Sequence, residues 1–225
     1  MKYPIGIQDF ESIISGGYTY VDKTALVYRL VTEGKIYFLS RPRRFGKSLL
    51  VSTLEAYFLG RKDLFKGLAI DELETEWVEH PVFHISFGGE NFIESGALES
   101  KINANLNKWE ELYGKAPVAT TFGGRFLHTL QAAHQKTGKR AVVLIDEYDK
   151  PLLDVLDTGY STTVDGKERL LEEHHRNILK GLYSVFKEAD ADLQFVLLTG
   201  VTKFSQVSVF SGFNQPADIS MDPRY

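Results

Sequence analysis

Residues 36–50 read Ile36-Tyr37-Phe38-Leu39-Ser40-Arg41-Pro42-Arg43-Arg44-Phe45-Gly46-Lys47-Ser48-Leu49-Leu50, an apolar strand, a short loop and the opening of a helix. A polyphosphate needs this arrangement. Backbone N–H groups of the loop turn inward as an anion nest, and the helix adds the positive end of its dipole. Lys47 can reach the β- and γ-phosphates, and Ser48 stands where a hydroxyl holds Mg²⁺. The stretch departs from the full G-x-x-x-x-G-K-[ST] pattern, because Arg41 occupies the place of the first glycine. Gly-Lys-Ser without that glycine is also a common helix start, so a second signal is needed.

That signal lies about a hundred residues on, at Ala141-Val142-Val143-Leu144-Ile145-Asp146-Glu147-Tyr148-Asp149. Five apolar residues, mostly β-branched, suit a parallel strand buried on both faces. Two acids at its C-terminal end fall where open α/β sheets bind ligands, beyond the strand tips. Asp146 is expected to orient Mg²⁺ or one of its waters, and Glu147 to polarise water for attack on a γ-phosphate. A buried strand ending in solvated acids is common by itself. Joined to the Gly-Lys-Ser element it forms a Walker A and Walker B pair, and predicts a P-loop nucleoside-triphosphatase.

Bulk composition agrees and excludes little else. The chain has 225 residues, 43% of them hydrophobic and 25% charged, with a formal net charge of -4, which suits one sizeable core under an ordinary surface. With no cysteine there are no disulfides or thiolate metal sites, as suits a reducing compartment. No apolar run reaches membrane-spanning length, and Met1-Lys2-Tyr3-Pro4 opens no signal peptide. The expectation is a cytoplasmic protein.

Hydrophobic periodicity predicts alternating elements. Residues 1–30 read as a lead-in with one short helical pattern and a second helix from Thr24 to Thr32; residues 31–225 form the P-loop domain. An amphipathic helix follows the loop and stops at Gly60, and Lys62–Leu68 is another short helical piece. A strand spans Val82–Phe87, helices lie near 95–113 and 119–136, and Gln194–Thr199 is a further buried strand. Asp157–Gly166 reads as a polar, mobile loop, and a long helix is expected from Lys167 to Lys187. The predicted fold is α/β, a mostly parallel doubly wound sheet flanked by helices.

The chain resembles the bacterial and archaeal AAA-ATPase-like family. The resemblance rests on Gly6–Phe10, Tyr20–Thr24, Arg41-Pro42-Arg43-Arg44-Phe45-Gly46-Lys47-Ser48, Ile145–Asp149 and Leu198–Phe204, and covers almost the whole sequence. It makes Arg41 a family trait. It implies ATP as the nucleotide, with Gly46, Lys47 and Ser48 at the phosphates and Asp146 and Glu147 in the acidic role; Arg43, Arg44, Phe45 and Leu49 are further candidate nucleotide contacts. Members commonly continue into a region similar to PD-(D/E)XK nucleases. This sequence ends at Asp222-Pro223-Arg224-Tyr225, before such a region and without a lid carrying a late arginine. The expectation is a truncated product or a chain that works with a separate one.

Several residues carry two readings. Arg43 and Arg44 either neutralise phosphate or face solvent and surface acids. Thr199 is placed as a polar sensor of the γ-phosphate or lytic water, or simply ends its strand; Lys203 is similar. Asp149 is expected to cap the helix that starts near Pro151. Tyr20, Asp22 and Lys23 could cover the adenine. His174 and His175 point about 100° apart on a helix and are expected at the surface. Arg125, Arg169 and Arg176 are candidate arginine fingers. Three functions compete: Mg²⁺-dependent ATP hydrolysis coupled to a protein partner or a second copy, an ATP-dependent switch with little turnover, and a nucleic-acid-linked accessory. Lys35, Arg41, Arg43 and Arg44 are too few to argue the last electrostatically.

Overall fold

A computed structural model describes residues 2–203 and 216–225. The chain opens with helices α1 (Phe10–Ser15) and α2 (Thr24–Glu33), then β1 (Ile36–Ser40) and α3 (Lys47–Phe58). A 3₁₀ turn (Lys62–Phe65) and α4 (Ala69–Leu73) lead to β2 (Val82–Ser86), followed by α5 (Ala97–Tyr113) and α6 (Phe122–Thr137). Next come β3 (Ala141–Asp146), α7 (Lys150–Leu153), β4 (Ser161–Val164), β5 (Lys167–Leu170) and α8 (Leu171–Glu188). The described residues finish with β6 (Leu193–Gly200) and β7 (Ala217–Asp218).

Among the described residues, five strands form one sheet in the order β2-β3-β6-β1-β7. Every neighbouring pair runs parallel. The strand with the two acids therefore does not touch the strand that feeds the phosphate loop; β6 lies between them. All strand C-termini share one edge: Ser40 pairs with Gly200, and Ser86 with Asp146.

Burial on both faces explains the continuous apolar runs. Along β3 all six residues are buried, and alternate side chains enter opposite cores. Val143 and Ile145 join Phe83, Val196 and Leu198 under α5, α6 and α8, which contribute Ile102, Trp109, Phe126, Leu179 and Phe186. Val142 and Leu144 face the other way, with Tyr37, Leu39 and Leu197, beneath Val27 and Leu30 of α2 and Leu54 and Phe58 of α3. Phe10 of α1 enters this second core against Phe65 and Tyr20. Truncating a residue such as Leu144 to alanine would cost about 2–5 kcal/mol.

Two expected elements are corrected. Residues expected to form a mobile loop hold β4, and the first four residues of the expected long helix form β5, paired antiparallel with it. Asp165 (φ +52°) and Gly166 (φ +74°) are both left-handed, as the tight hairpin turn between them demands. Lys167, Glu168 and Arg169 are good helix formers, but cross-strand pairing with Thr162–Val164 takes precedence, and α8 starts at Leu171. Among the described residues, no helix is long and apolar enough to cross a membrane.

Candidate functional site

The loop between β1 and α3 turns on two left-handed residues, Arg44 (φ +67°) and Gly46 (φ +73°). Such turns gather successive N–H groups on one side. Gly46 is the N-cap position of α3, and no side chain caps that helix, so its first amides are available to a ligand. Lys47 is only 7% exposed. Its Nζ donates to the carbonyls of Arg41 (2.9 Å) and Pro42 (3.0 Å), which folds the ammonium back over the loop. Ser48 and Leu49 are half-buried on the first turn of α3. Arg43, Arg44 and Phe45 are exposed, Phe45 by 64%. The backbone N–H of Arg41 donates to Gly200 O (3.1 Å), so the residue in the place of the usual first glycine extends the β1–β6 pairing.

Across β6 stand the acids. Asp146 is 5% exposed, and its Oδ1 accepts the hydroxyl of Thr199, which is itself fully buried. Glu147 has φ +56°, a left-handed conformation for a residue with a Cβ. Its carboxyl is pushed up from the ordinary glutamate range, chiefly by burial and then by the charge of Asp146. The ammonium groups of Lys150 and Lys47 act against that rise. The loop after β1 and the acids at the end of β3 leave the same edge of the sheet, with β6 between their strands. Glu147 also reaches the end of β2: a methyl group built on Gly88 would lie 3.3 Å from its Oε2 and 3.4 Å from Ser86 Oγ.

The structure thus gathers Gly46, Lys47, Ser48, Asp146, Glu147 and Thr199 at one sheet edge. Ser86, Gly88 and Lys150 are neighbours of Glu147 that the sequence reading missed. Only the end of the β2 pattern, at Ser86-Phe87-Gly88-Gly89, marked where they would come. Lys203 pairs with Asp218 at 2.6 Å. Phe204, part of the motif in which Thr199 was read, lies outside the described residues. An apolar cavity of about 510 Å³ opens beside the loop, walled by Tyr20, Val27, Leu50, Phe45, Gly46 and Ile219. Tyr20 and Lys23 of the lead-in line it. Asp22 is used elsewhere, accepting from Thr24 N (2.8 Å), Thr24 Oγ1 (2.7 Å) and Ala69 N (2.7 Å).

Other residues part from their expected roles. Asp149 precedes α7 but makes no cap bond to it. Its Oδ2 accepts instead from Val201 N (2.9 Å), Thr202 N (2.7 Å) and Thr202 Oγ1 (2.9 Å). His175 is not a surface residue: it is fully buried, and its Nδ1–H donates to Pro151 O at 2.9 Å. It falls four residues after Leu171 and four before Leu179, on the buried stripe of α8. His174 is half-buried against Glu99 at 2.6 Å. Arg125 is not free to act as a finger, since it binds both oxygens of Glu110 along with Asn103 and Asn107. Arg176 is tied to Glu172 on its own helix, while Arg169 is exposed on β5. Lys35 bonds Asp190 at 2.8 Å, near the start of β1, away from the loop arginines at its other end.

A family model described as "Predicted AAA-ATPase" matches residues 4–210. The chain is also 45% identical, over its whole length, to "Uncharacterized protein in vnfD 5'region" of Azotobacter chroococcum mcd 1, of which it spans 42%. A Gly-Lys-Ser loop and an Asp-Glu strand end meeting at the edge of a parallel sheet accord with that match, and the chain belongs to the predicted AAA-ATPase family.

Proposed function

We propose that this chain binds ATP with Mg²⁺ and hydrolyses the β–γ bond. The observation that carries the proposal is that Lys47, after β1, and Glu147, after β3, stand at the same edge of the parallel sheet with only β6 between their strands. One triphosphate between them would meet an ammonium and helix amides on one side and a water-directing acid on the other.

In this reading Lys47 exchanges the carbonyls of Arg41 and Pro42 for β- and γ-phosphate oxygens, and the amides around Gly46 cradle the chain of phosphates. Ser48 and Asp146 offer the hard oxygen donors that Mg²⁺ prefers, and Thr199 occupies only one carboxylate oxygen of Asp146. Held by these residues, the ion would supply charge neutralisation to the phosphates. Glu147 orients a water in line with the γ-phosphorus and takes its proton as the new P–O bond forms. The bond to the bridging oxygen breaks, and its electron pair leaves with ADP. The raised carboxyl of Glu147 suits a base of moderate strength. Thr199 fixes Asp146, and the exposed Arg43 and Arg44 supply further positive charge beside the loop. The cavity beside Gly46 is apolar enough to take the adenine ring, with Tyr20 and Lys23 at its wall.

Equilibrium titration with Mg-ATP tests the assignment. Lys47→Ala should abolish binding, while Glu147→Gln should bind as wild type and release no phosphate. Undiminished Mg-ATP affinity in Lys47→Ala would remove the reading. The receiver of the cycle is a protein partner or a second copy of the chain. Turnover that rises with chain concentration, and not with added DNA or RNA, is expected.

A further inference from the structure

We propose that Asp149 is a positioning residue, which bolts the turn carrying Glu147 to the tail of β6 so that Asp146, Glu147 and Thr199 are held as one unit. The proposal rests on the hydrolytic reading above and assigns a role to a third acid that this reading does not use.

Asp149 is 1% exposed, a costly place for a carboxylate. A short acid ahead of a helix has an easy role as its cap, yet this side chain turns from α7 toward β6. Three donors from residues 201 and 202 converge on its Oδ2, all within 2.9 Å. The neighbouring residue fastens the same two segments again. Tyr148 N donates to Thr199 O (2.9 Å), and Tyr148 Oη donates to Thr202 O (2.9 Å). Packing closes the remaining space: a methyl group on Gly200 would come within 2.6 Å of the Tyr148 ring and 2.8 Å of Asp149 Oδ1. With the Thr199–Asp146 bond at the near end, residues 146–149 and 199–202 form a closed, cross-bonded pair of turns.

Glu147 lies inside that ring and holds φ +56°. A left-handed conformation is unfavourable for a residue with a Cβ, and persists only where its surroundings over-determine it. Tyr148 and Asp149 provide that constraint on one side of Glu147, and the β3 pairing provides it on the other. Freed from Asp149, the turn would relax toward ordinary φ and carry the Glu147 carboxylate away from its place beside Ser86 and Gly88. Phosphate binding by Gly46 and Lys47 uses none of these bonds, so the two functions should separate.

The test uses the full 225-residue chain carrying Asp149→Asn, which keeps the shape but loses acceptor capacity, and the milder Thr202→Val. Mg-ATP affinity should stay within three-fold of wild type while kcat falls at least ten-fold in Asp149→Asn and several-fold in Thr202→Val. Amide hydrogen exchange should accelerate at residues 147–150 and 199–202, and not in β2 or α5. A folded Asp149→Asn with unchanged kcat overturns the proposal, and so does a loss of affinity equal to the loss of kcat. If wild type releases no phosphate, the hydrolytic reading fails separately and exchange decides: acceleration confined to the two turns supports the coupling, and unchanged exchange overturns it. Should Asp149→Asn not fold, the same measurements on Thr202→Val decide.

Discussion

Thr199, near the end of β6, donates its hydroxyl to Oδ1 of Asp146 at the end of β3. The bond ties β3 to β6, the strand that lies between the acids and the phosphate loop. It holds a carboxylate that is 5% exposed, with a donor that is fully buried, so neither group can turn to water instead. Replacing Thr199 by valine keeps the volume and removes the donor. The buried acceptor should then cost about 1–3 kcal/mol of stability, read as a lower midpoint in denaturant. On the proposed reading, Mg-ATP affinity should fall only a few-fold, while steady-state phosphate release falls ten-fold or more. Unchanged release in the folded variant would detach Thr199 from the chemistry.

Gly46 ends the loop at φ +73°, with open space where a Cβ would go. The requirement is therefore conformational rather than steric. Gly46→Ala should destabilise the protein by about 1–2 kcal/mol if the turn is kept. If the turn instead relaxes, the amide of Lys47 swings out of the nest. On the proposed reading the relaxed turn loses the anion nest, and at least a ten-fold loss of Mg-ATP affinity is expected by calorimetric titration. Full affinity without any loss of stability would show that the left-handed turn is not required.

The Glu110–Arg125 pair gives a prediction remote from the site. Both oxygens of Glu110 accept from Arg125, at 2.7 and 2.8 Å, and the two side chains are 4% and 13% exposed. The guanidinium holds the Glu110 carboxyl below the usual glutamate range. A lowered acid contributes stability that is present above its unfolded value, roughly 4.3, and disappears as pH falls through the folded value. Arg125→Ala should therefore cost about 3 kcal/mol at neutral pH, by leaving Glu110 buried without its partner. The gap between wild type and Glu110→Gln should narrow as pH drops below 4, measured by thermal melts at matched ionic strength. A gap that widens in acid would reverse the sign argued here.

Which features were legible in the sequence follows from how local their causes are. The apolar run at 141–145 encodes a strand buried on both faces, because each face needs its own apolar residues. Gly46-Lys47-Ser48 and Asp146-Glu147 could be paired by chemistry without any knowledge of distance. The hairpin at 161–170 was visible only in its Asp165-Gly166 turn, since Lys167–Arg169 have the composition of a helix and pair across the turn instead. The role of Asp149 is hidden from local sequence for a related reason. Its position before Pro151 matches a helix cap, but its partners lie 52 and 53 residues further along the chain, where local pattern has no reach. His175 could have been placed, because the four-residue spacing from Leu171 and to Leu179 puts it on the apolar stripe of α8.

On the proposed reading, the apolar cavity beside the loop takes the base apart from the phosphates. Its volume, about 510 Å³, has one wall from the lead-in and α2 and the other from Phe45, Gly46 and Leu50. Leu26 lines it from α2, is only half-buried, and belongs to no part of the phosphate loop. Leu26→Trp should fill the space where the adenine is proposed to lie, while leaving the bonds of Lys47 to Arg41 and Pro42 intact. The expected result is a ten-fold or greater loss of Mg-ATP affinity, with inorganic triphosphate bound as in wild type. Because the substitution covers apolar surface, the folded state should not be weakened, and the thermal midpoint should stay level or rise. Equal losses for ATP and inorganic triphosphate would mean that the tryptophan disturbs the loop. Equal retention of both would mean that the base lies outside this cavity.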